Sequence, residues 1–182
     1  MILVLNGYPG VGKLTIGRQL ADLLGGRLLD IHSVYNVAFA LTEFKSPLFR
    51  ETVEKIEAIA HDLVLKRPVG EPIVLTTVLT GQSEWADAEW QRMEQLGTLR
   101  PPFCVVHLSC ALDENIERIT SDARDGMRKP RDPEYARRNH LEQKPLYGLE
   151  TRNLLKLDTT GLSPADSAMR IAAWAHPLQT RV

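Results

Sequence analysis

Nine residues, Gly7-Tyr8-Pro9-Gly10-Val11-Gly12-Lys13-Leu14-Thr15, have the composition and spacing to hold phosphate. Gly7, Gly10 and Gly12 allow successive backbone N–H groups to turn inward around phosphate oxygens, with Pro9 and Val11 completing the loop. A helix beginning at Lys13 aims the positive end of its dipole at the same point, and Lys13 reaches the β- and γ-phosphates as a point charge. Such a loop works only between a strand and a helix. Met1–Leu5 is the short apolar run of a buried strand. After the loop, Ile16, Leu20, Leu23 and Leu24 recur at helical spacing until Gly25-Gly26 ends them.

Other residues able to do chemistry are scattered along the chain. Asp30 ends a second predicted strand, which puts its carboxylate on the ligand side of a parallel sheet. There it would orient or deprotonate a hydroxyl, or cap the helix that follows. His32, two residues on, lines the same place or is a solvated side chain. A third group is the arginine-rich stretch 118–133, with Arg118, Arg124, Arg128 and Arg131. Guanidinium groups pair two phosphate oxygens at any working pH, and a loop that closes late brings them to the transferring phosphate. The same stretch also reads as a solvated loop balanced by Asp122, Asp125 and Asp132. Thr76, Thr77 and Thr80 follow or end a third strand that offers no aspartate. They serve a site or simply favour a strand.

The elements that must position these groups alternate. Apolar runs at Arg27–Ile31, Ile73–Val78, Phe103–Leu108 and Leu154–Leu157 are separated by helical pattern near 33–43, 48–66, 83–96, 112–123 and 163–175. This predicts an α/β fold with helices on both faces of a parallel sheet. Ser163, Pro164 and Asp166 start the last helix with a capping-box pattern. Trp85, Trp90, Met93, Leu96 and Trp174 read as packing residues. Two stretches exceed a simple crossover: 33–66, which makes two helices, and 124–148, which is polar and rich in Arg and Pro.

The chain has 182 residues, enough for one domain with a substantial core, and a net charge of −1. That balance excludes a global basic field for nucleic acid or an anionic membrane. Cys104 and Cys110, the only two cysteines, lack C-x-x-C spacing and are expected to be reduced, near-core thiols. An apolar strand follows the first residue directly, with no charged leader, and no apolar run approaches a membrane span. A cytoplasmic address is the expectation.

With its loop, lid and order of segments, nearly the whole chain resembles the small P-loop kinases of the shikimate, gluconate and nucleoside-monophosphate kinase group. The resemblance implies a three-layer P-loop fold with a five-stranded parallel sheet in the order 2-3-1-4-5. It implies one domain over 1–182, with an acceptor-binding helical segment at about 31–66 and a lid at about 122–144. By the same resemblance, Lys13, Asp30, Arg124 and Arg128 are catalytic, and Gly7, Pro9, Gly10, Val11, Gly12, Lys13, Leu14, Thr15, Arg124 and Arg131 hold ATP. The strict loop has Ser or Thr directly after the lysine, on Mg²⁺; here Leu14 stands there and Thr15 follows. The Gly-Lys-x-Thr form is similar to that of nucleoside-monophosphate kinases. It implies Thr15 at the α-phosphate, with Mg²⁺ held mainly through water. Residues 158–161 then approach the adenine base, or form a turn into the last helix.

The expected activity is ATP-dependent phosphoryl transfer to a hydroxyl of a small molecule, by a monomer or homodimer, with no nucleic-acid or membrane partner. A polynucleotide 5′-hydroxyl kinase and a nucleotide-binding regulator with little transfer activity are the competing readings. The segment 31–66 holds Arg50, Lys45, Lys55 and Lys66 as its cations, few for an acceptor that itself carries phosphate.

Overall fold

The computed structural model describes residues 1–121 and 130–179. Five strands, β1 (Ile2–Asn6), β2 (Arg27–Leu29), β3 (Ile73–Thr77), β4 (Phe103–Ser109) and β5 (Leu154–Asp158), form one all-parallel sheet in the order β2-β3-β1-β4-β5. The expected strand order is therefore found. Central β1 pairs Ile2 with Ile73 on one side and with Phe103 on the other.

Alternate residues of the central strands supply two cores. Leu3, Leu5, Val74, Val106 and Leu108 meet Ile16 and Leu20 of α1 (Lys13–Leu23) and Ala168, Ile171 and Ala175 of α7 (Pro164–Gln179). On the other face, Ile2, Val4, Ile73, Leu75 and Val105 meet Val64 of α3 (Pro47–Leu65) and Trp90, Met93 and Leu96 of α4 (Glu84–Leu99). Two-sided burial is why these strands are continuously apolar. A smaller cluster, Val34, Ala38, Phe49 and Val53, joins α2 (Ile31–Leu41) to α3 beside the sheet. Both cysteines are buried free thiols.

The differences from expectation are local and have physical causes. β2 stops at Leu29 because the Asp30 side chain accepts from the His32 N–H and starts α2 at Ile31, two residues earlier than the pattern predicts. The polar stretch expected as lid contains α6 (Pro133–Glu142), capped by Asp132 with Pro133 in its first turn. Only Ala136 of that helix is buried, so it carries almost no apolar periodicity to betray it. α5 (Leu112–Thr120) ends before the expected 123. The Asp166 N–H donates to the Ser163 hydroxyl as the predicted cap requires, while the Asp166 carboxylate accepts from that hydroxyl.

Candidate active site

The carboxyl ends of β1, β2 and β3 and the start of the chain after β5 open onto one cleft of about 980 Å³. On one side it is lined by the loop and α1, through Pro9, Gly10, Gly12, Lys13, Leu14 and Thr15. Asp30 and Thr76 stand at its floor, and α2, α3 and the start of α4 form the opposite wall.

The loop is built as the glycine spacing requires. Gly10 has φ 96° and Gly12 φ 95°, the left-handed region that L side chains avoid. A Cβ on Gly10 would also lie 2.4 Å from Nδ2 of Asn115, and one on Gly7 2.5 Å from the Leu108 carbonyl oxygen. The loop is therefore packed from behind, with its backbone as the working surface. Asn115, fully buried in α5, donates to the Pro9 carbonyl at 3.0 Å and braces the loop. Gly12 caps α1 without a side-chain hydrogen bond, so the first N–H groups of that helix remain for a ligand. Lys13 Nζ bonds the carbonyls of Gly7 at 2.5 Å and Tyr8 at 3.0 Å, curled back over the loop it starts from. Thr15 is exposed in the cleft.

Asp30 caps α2, one of the two roles weighed for it, and its side chain also lines the cleft. Oδ1 accepts from the Thr76 hydroxyl at 2.6 Å, and Oδ2 accepts from the His32 N–H at 3.2 Å and lies 3.1 Å from His32 Nδ1. The Thr76 oxygen in turn accepts from the Ile31 N–H at 3.1 Å. Burial alone would raise this carboxyl. Its hydrogen bonds with His32 and Thr76 outweigh burial and hold it at about 2. Of the three threonines, Thr76 thus positions Asp30, Thr80 lines the cleft, and Thr77 is buried in β3.

Arg124 and Arg128 lie outside the described residues. Arg131 donates to the Thr120 carbonyl at 3.2 Å and is not among the residues lining the cleft. Arg118 does line it. It pairs with Glu114 and donates to the Thr159 hydroxyl at 2.9 Å and carbonyl at 3.0 Å. Thr159 also bonds Ser109 and reaches the Val11 carbonyl, so the segment after β5 is sewn to the rim of the phosphate loop. Within residues 158–161, Asp158 accepts from both N–H and hydroxyl of Thr160, an Asx turn into α7.

The opposite wall has no local signature in the sequence. Tyr35 and Phe39 of α2, Phe44 of the connecting loop and Phe49 of α3 form one aromatic cluster with ring centroids 5.2–5.9 Å apart. Trp85, expected to be packing alone, lines the cleft beside them, whereas Trp90, Met93 and Leu96 are core. Glu89, 1% exposed, is also part of the cleft lining and accepts from the Tyr35 hydroxyl at 2.6 Å. Burial pushes its carboxyl up to about 7. The Tyr35 hydrogen bond, Arg92 and the Trp85 indole pull the other way, and neighbouring Glu57 adds to the rise. One signal does point to it: Glu89 falls on the apolar stripe of α4 with Ala86, Trp90 and Met93, where a carboxylate is costly unless it has a task.

A phosphate loop leaving the central strand of a sheet in this order defines the P-loop class, with the architecture of the small kinases. Residues 3–142 match a family model described as an AAA domain, and the chain belongs to that family. It is 29% identical over 172 residues to the shikimate kinase of Corynebacterium efficiens, covering 90% of this chain and 89% of the relative. Shikimate kinase from Acinetobacter baumannii, solved in complex with shikimate, superposes with TM-score 0.60 at 20% identity over 100% of this chain and 94% of that one. A gluconokinase from Sinorhizobium meliloti 1021 gives 0.62 at 17% identity over 98% and 93%. At these identities the two structures speak for the fold alone. No described helix is long and apolar enough to cross a membrane.

Proposed function

We propose that this protein is a cytoplasmic kinase that moves the γ-phosphoryl group of ATP to a hydroxyl of a small molecule, residues 1–182 acting as one domain. The observation that carries this reading is a single cleft holding both the glycine loop with Lys13 and, across from it, the fixed carboxylate of Asp30. The shikimate kinase relative supports the reaction class.

The loop fits a polyphosphate: no side chain caps the first N–H groups of α1, and Gly7 and Gly10 leave no room for a Cβ behind them. Lys13 swings from the carbonyls of Gly7 and Tyr8 to the β- and γ-phosphates. Mg²⁺, when bound with the nucleotide, neutralises charge on the transferring group. The Gly-Lys-x-Thr form of the loop would leave Thr15, exposed in the cleft, and water to hold the cation. Arg118 and Thr159 fix the rim on the nucleotide side. By the resemblance to the small P-loop kinases, Arg124 and Arg128, which lie outside the described residues, would meet the charge that spreads over the equatorial oxygens.

Transfer forms a bond between the acceptor oxygen and the γ-phosphorus while the bond to the β–γ bridging oxygen breaks, and ADP leaves. The acceptor's proton goes to His32 Nε2. Asp30, too acidic at about 2 to keep a proton, holds that imidazole with its own proton on Nδ1 and orients the hydroxyl. Loose phosphoryl transfer asks mainly for positioning, so the rigidity of Asp30 matters more than its basicity.

The test is ADP release from MgATP against sugar acids, nucleosides, nucleotides and hydroxy acids, with Lys13→Ala and Asp30→Asn alongside. Acceptor-dependent release that both substitutions abolish supports the kinase. ATP binding without turnover on any acceptor would favour a nucleotide-binding regulator.

A further inference from the structure

Asn6, the last residue of β1 and fully buried, stands directly before the first glycine of the phosphate loop. There the backbone of β1 turns away into the loop, and the Asn6 side chain takes over as partner for the segment that follows β3. Its Oδ1 accepts from the Leu79 N–H at 3.1 Å, and its Nδ2 donates to the Leu79 carbonyl at 3.0 Å. The same Nδ2 donates to the Tyr147 carbonyl at 3.2 Å, which also accepts from His107 Nε2 at 2.8 Å. One buried amide thus joins two segments distant in the chain, and losing any of its bonds would strand a buried polar group.

Residues 144–148, between α6 and β5, run as a strap along the segment after β3. The Gly81 N–H donates to the Pro145 carbonyl at 3.0 Å, Thr80 and Leu146 form an antiparallel bridge, and the Tyr147 N–H donates to the Leu79 carbonyl at 3.2 Å. At one end of the strap the Tyr8 hydroxyl donates to the Lys144 carbonyl at 2.8 Å. Towards the other, the Tyr147 hydroxyl donates to Asp87 of α4 at 2.5 Å. Tyr8 is therefore held twice, because its own carbonyl accepts from Lys13 Nζ at 3.0 Å. When Lys13 reaches for phosphate it leaves that carbonyl, so occupancy of the loop acts on the peptide that carries the Tyr8 ring. Leu79 and Thr80, at the other side of the strap, line the cleft between Thr76 and the start of α4.

We propose that Asn6 and Tyr8 are positioning residues that pass the state of the phosphate loop, through the strap, to the rim formed by residues 79–81. A bound nucleotide then sets the rim on the acceptor side of the cleft. This rests on the kinase reading of the loop and adds to it a bonded route between the donor and acceptor sides.

Backbone amide resonances of the full chain test it, with and without a non-hydrolysable MgATP analogue at concentrations that calorimetry shows to saturate each variant. In the parent, the analogue is expected to shift the amides of Gly12, Lys13 and Thr15 and to slow hydrogen exchange at Leu79, Gly81 and Tyr147 by at least about threefold. Tyr8→Phe keeps the ring and removes only the hydroxyl. In it the loop shifts are expected to persist while the slowing at Gly81 and Tyr147 disappears. Asn6→Leu is expected to lose the slowing at all three amides, and if it does not fold, Tyr8→Phe decides alone. Bonds that served stability only would speed exchange by the same factor with and without the analogue; a nucleotide-dependent slowing that survives in Tyr8→Phe overturns the proposal. Loop shifts in the parent with no response at the three amides also overturn it and leave the nucleotide reading standing. No loop shift at any concentration of the analogue overturns both.

Discussion

Thr76 and Asp30, 46 positions apart in the chain, are joined by a 2.6 Å hydrogen bond that ties the end of β3 to the start of α2. The hydroxyl donates a hydrogen bond to the carboxylate and accepts one from the Ile31 N–H, so one oxygen sets both the helix start and the direction of Asp30. The kinase chemistry proposed for this cleft depends on that direction.

Thr76→Val keeps the shape of the side chain and removes the bond. Acceptor-dependent turnover is expected to fall about tenfold or more, with nucleotide affinity intact, and stability to fall by about 1–3 kcal/mol. Steady-state kinetics and denaturant melts check the two effects.

Asp30 also predicts an acid limb of stability. Its folded value of about 2 lies below the ordinary 3.8, so the unfolded chain binds the extra proton. The stabilisation is complete above 3.8 and disappears as pH falls through about 2. Asp30→Asn should flatten the melting temperature across that interval, and a scan of Tm against pH reads it directly.

Glu89 and His61 work in opposite senses. Burial lifts Glu89 to about 7 from 4.5, so the folded state holds its proton longer and stability declines as pH rises from 4.5 to about 7. His61, pushed down to about 4 by burial and Arg92, leaves the folded state neutral where the unfolded chain is charged, so stability rises from about 4 to 6.5. Glu89→Gln is expected to lessen the decline and His61→Gln the rise, each seen in Tm against pH.

Gly10→Ala tests the loop. The new methyl meets Asn115 Nδ2 at 2.4 Å in a backbone at φ 96°. A cost of about 1–3 kcal/mol and loss of ATP binding by at least about tenfold are expected. Asn115→Ala removes the brace on Pro9 and should weaken nucleotide binding while tolerating the methyl at position 10 better than the parent does. Calorimetric ATP titration of the single and double variants separates clash from brace.

The phosphate loop is legible in the sequence because its chemistry is local: three glycines, a lysine, and apolar runs on either side. Strand order follows from resemblance, and the alternation of strands and helices from periodicity, because both faces of this sheet are buried. Helix α6 is hidden for the opposite reason, having one buried residue and hence almost no pattern.

What spans the cleft comes only from tertiary contact. Tyr35 meets Glu89 across 54 positions, Glu57 meets Arg92 across 35, and Asn115 supports Pro9 across 106. No local spacing encodes such pairs, since each is made by the crossing of elements whose surfaces look ordinary one at a time. Local sequence carries the means of holding a phosphate; the packing of α2, α3 and α4 decides what can lie opposite it, because burial and orientation of those side chains exist only once the helices have met.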